Sequence, residues 1–140
     1  NDVNRLAILI LRSIKYRLGL SGDEYNNLFL CHTVYEQLEK IADDAKRISK
    51  YLVKKGFKKD EIAKIDEIYN LIEKAFIDTL KAYYLKDPVL AQKTSKILKE
   101  NVLKKCASME SATKNKDCAI LAEKYRTMCN HIKTINRINY

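Results

Sequence analysis

One proline and three glycines punctuate 140 residues: Pro88, Gly19, Gly22 and Gly56. Between them, residues 23–55 and 57–87 run for more than thirty positions without a helix breaker. A sheet of short strands needs turn residues every 8–12 positions or so, and this chain does not supply them. Ala, Leu, Ile, Lys and Glu dominate, and these are strong or tolerated helix formers. The expected fold is therefore all-α: a single domain over residues 1–140, built as an up-down antiparallel bundle of about five helices.

The punctuation places the helices. The first runs over about 2–18, with Gly19 as a left-handed terminator. Ser21 and Glu24 fit a capping box for a second helix over about 22–55. Its apolar positions Leu28, Cys31, Val34, Tyr35, Leu38, Ile41, Ala42, Ala45, Ile48 and Leu52 keep one stripe. Gly56 ends it, with Phe57 sealing a Schellman turn. A third helix spans about 58–86 on Ile62, Ile65, Tyr69, Ile72, Phe76, Leu80 and Tyr83. Asp87-Pro88 is a restart signal, Asp as N-cap and Pro at the first helical position. A fourth helix follows to about 109, SATKNKD at 111–117 reads as a loop, and a fifth begins near 117.

The longest apolar run is LAILIL at 6–11, far below the roughly 18 residues of a membrane span. The start of the chain resembles neither a signal nor a transit peptide, so the expected compartment is the cytoplasm. The net charge is +9, and residues 88–140 hold eleven Lys/Arg against four Asp/Glu, most of the excess. Lys93, Lys96, Lys99, Lys104, Lys105, Lys124, Arg126, Lys133 and Arg137 form the candidate basic surface for an anionic partner, nucleic acid included. Against that reading, no helix-turn-helix or aromatic-lined basic groove is evident. The four cysteines lack zinc-site spacing. Cys106 and Cys118 flank the last turn and are the candidate pair for a disulfide; reduced thiols are the alternative.

No enzyme signature is present. His32 and His131 lack a neighbouring nucleophile motif, HExxH is absent, and no ExxH supports a ferritin-like di-metal site. Glu39 and Asp43, at i and i+4 on the second helix, are the candidate metal ligands for iron, zinc or magnesium. The competing expectation is a salt-bridged face, with Lys40 on Glu36 and Arg47 on Asp43. No cofactor is expected on that reading.

Three segments, in order, carry a family resemblance. EKIADDAKRISK (39–50) resembles the signature helix of PhoU-domain proteins, which reads like ERIADHAxxIA. DVNRLAILILRSIK (2–15) looks like the EVDRLYFLLVRQL segment that precedes it, particularly in archaeal PhoU-like proteins. KAYYLKDPVLAQKTSKILKENV (81–102) resembles the family's A-x-x-x-x-D-x-x-x-A helix turn. The resemblance covers nearly the whole chain. It implies three-helix repeats: residues 1–55 as a partial repeat one without its first helix, and 58–140 as a complete repeat two. It also implies a longer parent protein, with an AbrB-like DNA-binding domain ahead of this region in archaeal relatives.

What the resemblance implies for function is a regulator of phosphate uptake. It would act by contact with a protein partner, a transporter or a regulator, and be linked to transcription. The face left open by the missing helix implies self-association, as a dimer or by domain exchange. The family's metal clusters use E/DxxxD motifs, of which Glu39 and Asp43 match one. At the other cluster positions this sequence has Asn4, Leu103, Arg126 and Asn130, and Asp44 stands where the family usually has His.

Overall fold

The structure, a computed structural model, describes residues 2–16, 21–112 and 115–139; of residues 2–4 and 7 only the backbone is described. The expected stop at Gly19 and the side chain of Asn4 lie outside the described residues. The helices are α1 (Asp2–Tyr16), α2 (Gly22–Lys54), α3 (Lys59–Leu85), α4 (Pro88–Ile97), α5 (Leu103–Ala112) and α6 (Lys116–Arg137). A π-helical turn, Leu98–Val102, joins α4 to α5 in one continuous rod. Five rods thus make the all-α bundle, with no strand among the described residues. No described helix is long and apolar enough to cross a membrane.

The capping box at the start of α2 forms as its residues dictate. Ser21 Oγ accepts from the Glu24 N–H, and the Glu24 carboxylate accepts from the Ser21 N–H at 3.0 Å. The end of α2 differs from expectation. Lys55 is extended (φ −107°, ψ 140°) and Gly56 does not adopt a left-handed φ, so no Schellman turn forms there. The chain leaves the helix one residue early because Lys55 reaches Asp117 at 3.2 Å and Phe57 folds back onto the core.

The Schellman turn sits instead at the end of α3, on a lysine. Lys86 is left-handed (φ 52°, ψ 45°), and the Asp87 N–H reaches back to the Ala82 carbonyl at 2.9 Å. Pro88 forces this. It biases Asp87 away from helical dihedrals, and α4 starts at once, leaving only Lys86 to reverse the chain. Asp87 then caps α4 by accepting from the Leu90 N–H at 3.0 Å. A left-handed non-glycine residue costs roughly 1–2 kcal/mol. Lys86→Gly is therefore expected to raise stability by up to about 1 kcal/mol after the added unfolded-state entropy of glycine is subtracted. A higher urea midpoint would show it, and an unchanged or lower one would contradict it.

The π turn also follows from residue spacing. The buried positions Thr94, Leu98, Val102 and Cys106 are each four residues apart. In an α-helix every step of four over-rotates by about 40°, so three steps would swing Cys106 away from the core. One extra residue in a wide turn absorbs most of that drift. Leu98, Val102 and Cys106 consequently all point inward and are fully enclosed.

α6 is the central element. Leu121, Tyr125, Cys129, Ile132 and Ile135 along it are completely buried. The α4–α5 rod packs with α3 and α6 as a three-helix unit, while α2 lies on another side of α6. α1 has α2 as its principal neighbour. The core is one cluster of buried side chains that runs from Val34 to Ile135.

Candidate protein-interaction groove

α2 and α3 both pack against α6, yet they scarcely touch each other. The result is a groove with α6 as its floor. It consists of two adjoining depressions of about 520 and 450 Å³ that share Ala45, Tyr69 and Met128. Leu38 and Ala42 of α2, Phe76 and Leu80 of α3, and Ile132 of α6 line the larger one, with Leu6 of α1 at its edge. Leu52, Phe57, Ile62 and Tyr125 line the other. Along α3 the groove extends from Ile62 to Leu80, about 27 Å at 1.5 Å per residue. Its walls are mostly carbon, and Asp66 and Glu73 are the charged groups that α3 contributes.

Sequence periodicity concealed this feature because α3 carries two apolar faces. Ile65, Ile68, Ile72 and Ala75 face the core, whereas Ile62 and Tyr69 are about half exposed, at 53% and 45%. The single stripe read from the sequence mixes the two, with Ile65 and Ile72 from one face and Ile62 and Tyr69 from the other. The signal was its width, greater than one packing partner covers.

A polar network closes one end of the groove. Tyr51 donates its hydroxyl hydrogen to Asp117 Oδ1 at 2.6 Å, and Lys55 pairs with the same oxygen. Asn115 donates to Glu61 at 3.3 Å while its own side-chain oxygen caps the Asp117 N–H. Glu61, almost enclosed, also accepts from the Lys58 N–H at 2.8 Å. These bonds tie the α2–α3 connection to the start of α6. Burial, reinforced by the bond to Asp117, pushes the Tyr51 hydroxyl up to about 12. The hydrogen bonds and Lys55 hold Asp117 below the usual carboxylate range, and those from Lys58 and Asn115 do the same for Glu61.

The candidate metal ligands Glu39 and Asp43 lie half-buried on α2. Among the described residues no third carboxylate, histidine or cysteine joins them in a metal-binding group. Lys40 pairs with Glu36 at 2.7 Å, as the spacing suggests. Arg47 does not go to Asp43; it approaches Asp44 at 3.8 Å. Asp44 also faces the α2–α6 seam, where His131 Nε2 lies 3.6 Å from it. His131 Nδ1–H donates to Gln37 Oε1 at 2.9 Å.

Burial lowers the His131 pKa against the opposing pull of Asp44. A folded-state value below the unfolded one means stability that is present above the unfolded pKa and lost as pH falls through the folded one. Glu36, Glu61, Glu110 and Asp117 are lowered as well. The urea midpoint is expected to fall in two stages on acidification, first just below about pH 6.5 and then below about pH 4.5. His131→Gln should remove the first stage only; an identical profile in that variant would contradict the assignment.

The nine basic residues do not act alike. Lys105 pairs with Glu67 at 2.6 Å, and Arg126 makes a bidentate pair with Glu110 and reaches Glu123 at 3.2 Å. Lys124 lies over the Tyr51 ring, 5.8 Å from its centroid. Lys93, Lys96, Lys99 and Lys104 stand on the solvent face of the α4–α5 rod, and Lys133 and Arg137 lie on α6. Arg126 is thus an ion-pairing residue that clamps α6 to α5.

All four cysteines are free thiols, so Cys106 and Cys118 are not bridged in this structure. Cys118 hydrogen-bonds Glu61, whereas Cys106 lies near Arg126 and Cys129. Burial pushes the Cys106 and Cys129 thiols up to about 11 and 12. Cys31 is half-buried beside the Tyr83 hydroxyl at 3.5 Å. A thiol reagent is expected to label Cys31 alone in the native protein and all four cysteines in denaturant. A count of two in denaturant would establish a disulfide.

No family model, curated protein or solved structure matches this chain.

Proposed function

We propose that this chain is a regulatory interaction domain of the PhoU type, which takes part in phosphate-uptake control by binding a protein partner. The reading assigns it no chemistry of its own and invokes no cofactor. The observation that carries it is the open apolar groove between α2 and α3. The α4–α5 rod with α3 and α6 gives one three-helix unit, and α1 with α2 gives two-thirds of a second. The groove lies beside that second unit, where one more helix would complete it. This supports the repeat organisation that the three sequence segments imply, and it supplies a surface for a regulator that works by contact. A groove of this length and composition suits an amphipathic helix laid along it, with apolar anchors three and four residues apart.

The test is genetic, in the source organism. Deleting the gene should deregulate phosphate uptake, and the wild-type gene should restore control. The Ala42→Arg variant should not, because it places a charge at a solvent-exposed position of the groove wall without touching the core. Unaltered phosphate uptake in the deletion strain sinks the phosphate reading. Full complementation by Ala42→Arg removes the groove from it.

A further inference from the structure

Besides the groove, α1 presents an uncovered apolar surface. Leu6, Ile8, Leu9 and Leu11 are all about half exposed, at 47%, 49%, 56% and 47%. The apolar arc of α1 runs from Leu6 through Ile10 and Ile14 to Leu11, and Ile8 and Leu9 add apolar area on the side that also carries Arg5, Arg12 and Lys15; among the described side chains Ile10 and Ile14 are the half-buried ones. Four large apolar side chains therefore remain about half exposed on α1. Its 15 residues span about 22 Å, short enough to lie within the 27 Å or so of groove.

Charge matches as well as shape. α1 carries Arg12 and Lys15 on exposed positions, with no ion pair among the described residues. The groove side of α3 offers Asp66 and Glu73, likewise outside any ion pair there. Lys55, a basic residue at the groove's end, is already held by Asp117.

We propose that the groove is filled by α1 of a second copy of this chain, each copy inserting its α1 into the other's groove about a two-fold axis. The proposal rests on the reading of the groove as a helix-docking site and names its occupant. Two-fold exchange covers the groove and the exposed apolar residues of α1 in both chains at once, and it closes without leaving either of them open. Leu6, at the groove edge, brings each chain's own α1 alongside the incoming one. Arg12 and Lys15 supply positive charge toward Asp66 and Glu73, which adds orientation and salt dependence to an otherwise apolar contact.

Sedimentation equilibrium on the purified chain tests this. Wild type should be a dimer that weakens as salt rises. Leu9→Glu spoils the helix face and Ala42→Arg spoils the groove. Each should weaken dimerisation by about tenfold or more, the scale expected when a buried leucine contact is lost. Circular dichroism of each variant should match wild type, since both positions are exposed. The decisive result is the mixture. Leu9→Glu retains an intact groove and Ala42→Arg an intact helix, so the two together should form a heterodimer through one good contact. A monomeric wild type overturns the proposal, and so does a dimer that survives both substitutions or a mixture that stays monomeric. A monomeric wild type with a failing Ala42→Arg in the uptake assay would leave the groove as the site of a different protein.

Discussion

Replacing Tyr125 with alanine is expected to cost about 3–5 kcal/mol of folding stability, the range for deleting an enclosed aromatic ring. Tyr125 is completely buried on α6, the element shared by both halves of the bundle, and it forms part of the groove floor. Its ring holds α2, α3 and α6 in register, so the loss combines transfer energy with a cavity that the surrounding helices fill only in part. Its hydroxyl has no partner among the described residues, and burial pushes its pKa well above the ordinary tyrosine value. Tyr125→Phe removes that hydroxyl without forfeiting a protein hydrogen bond. It should therefore be neutral or slightly stabilising. Urea unfolding of the two variants separates ring from hydroxyl. A Tyr125→Phe loss as large as that of Tyr125→Ala would show that the hydroxyl, and not the ring, matters.

The second large effect concerns Asn136, near the end of α6. It is fully enclosed, and neither its amide nitrogen nor its oxygen has a hydrogen-bond partner among the described residues. Asn136→Asp puts a titratable group where the chain offers no donor. Burial of that kind raises a carboxyl pKa by up to 3–5 units. An upward shift of about three units removes roughly 3–4 kcal/mol at pH 7. The sign is testable: with the folded-state pKa raised, the penalty exists above the unfolded value and fades as pH drops below about 4. Asn136→Leu introduces no charge and gives up no protein hydrogen bond, so it should match or exceed wild-type stability. Chemical unfolding at pH 7 and at about pH 4 compares all three proteins. An Asn136→Asp deficit that does not shrink on acidification contradicts the buried-charge account.

Local features were legible in the sequence because their causes lie within a few residues. The capping box at Ser21 and Glu24 and the Asp87-Pro88 restart form as read. So do all the helices, with ends shifted by one to three residues. The helix stops beside Gly56 as read, but the Schellman turn expected there does not form, because a glycine permits a left-handed turn without requiring one. Contacts of Lys55 and Phe57 with distant residues decided the matter there. The left-handed turn went to Lys86, which no propensity scale would choose, because Pro88 left room for nothing else. The π turn was encoded in the spacing of Thr94, Leu98, Val102 and Cys106, visible once four-residue steps are counted.

The site was harder to read. Glu39 and Asp43 stand where the sequence places them, but which carboxylate an arginine chooses depends on the neighbouring helix. Arg47 approaches Asp44, which also faces His131 across the seam with α6. Arg126 reads as surplus charge in one dimension and as an ion-pair clamp in three.

The sequence by itself determined that the chain is helical, how many rods it makes and where most of them begin and end, because backbone propensity, capping and periodicity act over single turns. Only the tertiary structure decided that α2 and α3 stand apart across α6. Apolar periodicity marks a face as one to be buried without naming what buries it. The wide stripe of α3 and the uncovered face of α1 become a groove and a helix that fits it only when the packing of every other element is known.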